Sequence, residues 1–165
     1  LPSPAQLQAA TEVQRLVSDD PRAAVEKMIE LAREYEQVRS SMASGPERTR
    51  RMSEIVGHMT VVALGAQSQL SQLSSSTQPG DRLAAVIILK FRFDPTYSKW
   101  LADRLVEDPP FVGFHAASAL LAGFRLSGGS ERESLKQLVA DASETLKSKG
   151  LSDENRDRVI AEILA

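Results

Sequence analysis

Apolar residues recur along most of this chain at the spacing of a helix face. After Asp20-Pro21, Val25, Met28, Ala32, Tyr35 and Met42 fall on one side of a 3.6-residue turn, which predicts a long helix. Beyond Ala43, Met52, Met59, Ala66 and Leu73 repeat every seven residues with Ile55 and Val62 between them, a coiled-coil-like seam. The connection from Ala43 to Pro46 is short, so the two long helices are predicted to fold back as an antiparallel hairpin. An ordinary packed pair is the expected reading of the seam; a dimerising coiled coil is the alternative.

Helix punctuation divides the rest. Ser3-Pro4-Ala5-Gln6 has the form of a capping box with Pro at the first helical position, predicting a short helix from Pro4 to about Val17. Ser44-Gly45-Pro46-Glu47 offers a second box. The polar run from Ser74 to Gly80 ends in a Pro-Gly breaker and reads as a linker. After it come a helix from Asp81 to Arg92, one opened by Asp94-Pro95 to about Glu107, and one opened by Asp108-Pro109 to about Leu126. Ser130-Glu131-Arg132-Glu133 is a capping box for a helix carrying Leu135, Leu138, Val139, Ala142 and Leu146. Gly150 fits a left-handed C-cap, and Ser152 is placed to cap a last helix through Val159, Ile160, Ile163 and Leu164. No segment alternates with period two, so no strand is expected.

The expected fold is therefore all-α, with about seven to eight helices. N-terminal helices and the hairpin occupy 1–73, a linker 74–80, and a helical subdomain 81–165 packs with the first part as one domain. Leu89, Leu101 and Leu120 are expected in the second-half core.

Composition narrows the function classes. The 165 residues are 42% hydrophobic and 25% charged, enough for one core and against wholesale disorder. Twenty Lys and Arg against 22 Asp and Glu leave a formal charge of -2, without the basic excess of a nucleic-acid binder. With no Cys there is neither a disulfide framework nor a thiolate metal site, which points to a reducing compartment and hence the cytoplasm. The longest apolar stretches, Leu83 to Leu89 and Ala116 to Phe124, fall far short of the roughly 20 residues that cross a bilayer. The chain begins at Leu1, without a signal-peptide core or a lipidation motif, and reads as a piece of a longer or processed protein.

Candidate chemistry is sparse. His58 and His115 are far apart and lack metal-ligand spacing. Neither a Gly-x-Ser-x-Gly elbow nor a phosphate-binding Gly loop occurs. The carboxylate pairs Asp19-Asp20 and Glu107-Asp108 are sequence neighbours that do not face one another on a helix. No catalytic, cofactor or metal residue is expected. Arg48, Arg50 and Arg51 form a basic run where positive charge opposes a helix dipole, which suits an anionic partner; pairing with Glu47 and Glu54 is the alternative. Phe111, Val112 and Phe114 follow Pro109-Pro110 and serve either as core anchors or as the apolar centre of a protein-binding surface. Phe111 and Phe114 should face one way and Val112 another.

Asp81 to Leu89, followed by Asp94-Pro95-Thr96-Tyr97-Ser98-Lys99-Trp100-Leu101, resembles one HEAT repeat of the phycobilisome-lyase type. Leu105 to Val112 is similar to that family's loop between repeats, and His115 to Leu121 to its small-residue first helix, so the resemblance covers about residues 81–148. Arg82 matches the Arg that the family carries near the start of each first helix, whereas Phe114 or His115 stands there in the second repeat. The hairpin and the final helix would cap the apolar ends of such a pair. More loosely, the second half resembles helical adaptor segments of bacterial signalling and conflict proteins. These resemblances imply a non-catalytic adaptor or scaffold within a larger protein, whose partner is another protein or a flanking domain; self-association stays open. The alternative they imply is a HEAT-like nucleic-acid-binding domain, such as a DNA base-excision glycosylase, with Trp100, Asp103, Arg104 and Arg92 as its nearest approximation to a site.

Overall fold

The computed structural model describes residues 3–8 and 21–165, and the regular structure among them is entirely helical. Residues 4–8 are helical, followed from Pro21 by α1 (Pro21–Ser41), α2 (Pro46–Val62), α3 (Leu70–Ser75), α4 (Pro79–Phe91), α5 (Ser98–Glu107), α6 (Pro110–Leu126), α7 (Gly129–Ser148) and α8 (Glu154–Leu164). Short 3-10 turns at Gln67–Gln69 and Pro95–Tyr97 precede α3 and α5. The expected all-α fold is what forms.

The predicted caps are partly right. Ser3 and Gln6 make the reciprocal box: the Gln6 amide donates to Ser3 Oγ (3.1 Å) and the Ser3 amide to Gln6 Oε1 (2.6 Å). The predicted continuation to Val17, and the capping role of Asp20, lie outside the described residues. Asp94 caps as expected, accepting from the Thr96 amide. Gly150 adopts φ 67°, and the Gly150 amide reaches Lys147 O while Leu151 reaches Leu146 O, the two bonds of a Schellman motif.

Four caps differ. At α2 the cap position falls on Gly45 at φ 156° and ψ -177°, a region nearly reserved for glycine, and no side chain caps it, so Ser44 does not form the predicted box. At α7 it falls on Gly128, and Ser130 lies inside the first turn. At α6 it falls on Pro109 rather than Asp108, since a residue before Pro is driven to extended backbone and only Pro110 begins the helix. At α8 Asp153, one residue past Ser152, accepts from the Arg156 amide (2.9 Å) while its own amide donates to Asp157 (2.9 Å).

The first compact unit is Leu1–Phe91. Here α1 packs on α2 as the predicted hairpin: Arg48 at the start of α2 donates to Arg39 O and Met42 O at the end of α1, and Arg51 lies 3.9 Å from Glu34 one to two turns back. The seam residues Met52, Ile55, Met59, Val62, Ala66 and Leu73 are all buried. They do not share one helix, however. The chain turns after Val62 and resumes as α3, because the β-branched run Thr60-Val61-Val62 and then Gly65 weaken the helix there.

Helix α4 packs on α1, α2 and α3, and Leu83 through Leu89 are buried without a break. A helix apolar all round is a core element. Its start is clasped to α1: Arg33 pairs with Glu36 and Asp81, Glu36 accepts from the Gly80 amide (2.8 Å), and Ser76 donates to Asp81 (2.7 Å). The polar stretch 74–80 is thereby built into the first unit, and the division between units falls after Phe91 instead of at this stretch.

The second unit is Arg92–Ala165. Within it α6 packs against α5 and α8, while α5 and α8 also contact α7. Ala116, Ala117 and Ala119 on α6 are fully buried, small side chains that let neighbouring helices come close. Gly123 makes room for the Phe93 ring of the connection before α5, since a Cβ there would sit 2.5 Å from that ring. Leu101 and Leu120 are core residues of this unit; Leu89 is equally buried but belongs to the first.

Candidate functional site

The first turn of α6 separates its three apolar residues. Val112 is completely buried and fills the core, so it is not available to a partner, contrary to its assignment to a binding surface. Phe111 and Phe114 are half-buried and share a face, as their spacing requires. Both rings stand edge-on to the buried His115, with centroids at 5.0 and 5.1 Å.

The basic run is occupied from within. Arg48 closes the end of α1 through the two carbonyl bonds above. Arg50 pairs with both Glu47 and Glu54, and Arg51 lies 4.0 Å from Glu54. The hydrogen bond from Arg50, reinforced by its charge, holds the Glu47 carboxyl below the usual carboxylate range. These contacts are those of a solvated, ion-paired face, the pairing with Glu47 and Glu54 that the run's sequence also allows.

On α5 Arg104 meets Trp100, while Asp103 is engaged with Lys99 instead. The Arg104 guanidinium lies 5.1 Å from the Trp100 ring centroid and bonds Asp108 (2.7 Å) and Glu107 (2.7 Å). Its partner Asp108 has a side chain with no solvent exposure. Asp103 accepts from Lys99 (2.6 Å), and that hydrogen bond raises the lysine's pKa. His58 is half-buried on α2, with a shielded Nε2 that finds no hydrogen-bond partner among the described residues.

A feature absent from the sequence reading lies between α7 and α8. There Leu146, Leu151, Ile160 and Leu164 floor an open groove of about 400 Å³, with Lys147 and Asp157 on its rim. Leu151 is 47% exposed although apolar. One signal could have located it: the residue after a left-handed Gly cap commonly makes an apolar contact back to the last turn, which pairs Leu151 with Leu146.

Among the described residues no group of three or more His, Asp or Glu is placed to hold a metal ion, and no helix is long and apolar enough to cross a membrane. Comparison with family models, with curated proteins and with solved structures finds no match.

Proposed function

We propose that this chain is a non-catalytic helical interaction module, an adaptor or scaffold of HEAT-like type within a larger protein, and that it holds another protein or a flanking domain. The α7–α8 groove carries the reading. The groove is open to solvent, floored by the buried Leu146 and Ile160 with the more exposed Leu151 and Leu164. Its walls are two helices anchored in the core through Leu135, Val139 and Ile163, and on its rim Lys147 pairs with Glu144 and Asp157 with Arg156. Such a groove suits an amphipathic helix laid between the two, with apolar residues at i, i+3 and i+4 downward. The helix pairing and buried alanines of the second unit agree with stacked hairpins. The absence of Cys agrees with a cytoplasmic setting, and the looser resemblance with a bacterial signalling or defence protein.

The test begins with partners recovered with the full-length polypeptide. Their affinity is then measured for the parent and for Ala161→Arg and Leu151→Asp, two changes at exposed groove positions that leave the core intact. A true anchor site should lose at least about 2 kcal/mol of binding, some thirtyfold, with the helical signal retained. Unchanged binding by both folded variants would refute the groove. Steeply salt-dependent duplex binding or base excision by the parent would replace the adaptor reading with a nucleic-acid one.

A further inference from the structure

We draw no further inference here: the strongest candidate, the cleft of about 390 Å³ beside α2 that Gln6, Leu7, Ser53, Gly57 and His58 line, is an unpartnered apolar face, and nothing among the described residues shows what covers it.

Discussion

Gly80 of α4 lies directly against the backbone carbonyl of Ala32 in α1, so close that a methyl at Gly80 would come within 2.7 Å of the Ala32 carbonyl carbon. Backbone cannot retreat as a flexible side-chain end can. Replacing Gly by Ala usually favours a helix by up to about 1 kcal/mol, yet overpacking of this kind costs about 1–3 kcal/mol. Gly80→Ala should therefore be net destabilising, read as a lower denaturation midpoint; an equal or higher midpoint would show that the two helices are not so close.

The buried pair Arg104–Asp108 gives a second expectation. Breaking a buried ion pair costs up to about 3–5 kcal/mol, and less for Asp108→Asn, since Arg104 keeps its bond to Glu107. Asp108→Asn and Arg104→Met should each lower stability markedly in urea titrations. The double variant Arg104→Met with Asp108→Leu should recover much of the loss, because an apolar pair removes both desolvation costs. A double variant as unstable as the sum of the singles would argue that the two side chains act separately.

Caps distinguish neighbouring residues sharply. Asp153→Ala should destabilise by about 1 kcal/mol, the usual loss of an N-cap, whereas Ser152→Ala should stay within about 0.5 kcal/mol. Thermal melts of the two variants decide it, and the reverse order would move the start of α8 by one residue.

Glu47 provides a pH-dependent readout. Its carboxyl is depressed in the folded chain by Arg50, so its contribution to stability is fully present above the unfolded value of about 4.3 and disappears as pH falls through the lower folded value. Carboxyl chemical shifts followed by NMR should place its midpoint below that of an ordinary Glu. Arg50→Gln should return it upward, and a midpoint unmoved by that change would disprove the pairing.

Much of this fold was legible because helical spacing is a local property. Seam residues such as Met52 and Met59, and core residues such as Leu101 and Leu120, were placed inside correctly from periodicity alone. Periodicity was also misleading where it ran on through Ala66 and Leu73: the apolar spacing survives the turn at 63–66, so burial was right and helix continuity wrong. Cap positions next to Gly or Pro slipped by a residue or two at Ser44, Asp108 and Ser130, where a neighbour's backbone preference is stronger, and at Ser152 the adjacent Asp153 supplies the capping side chain instead. The candidate site was less legible. Which of Phe111, Val112 and Phe114 turns inward depends on the helices packed around α6, and the α7–α8 groove is made by two segments whose approach no single stretch encodes.

The turn after Val62 also divides the first unit into near and far pairings. By breaking the path between α2 and α3, it leaves α1–α2 and α3–α4 as two pairs, each joined by a connection of only a few residues. Short loops close at lower entropic cost than long ones, so these two pairings are the less costly to close. The contacts between Glu36 and Gly80, 44 residues apart, and between Arg33 and Asp81, 48 apart, close the longer loops. The first unit is thus two locally connected pairs, and the ion cluster around Arg33 ties α1 to the start of α4 across them.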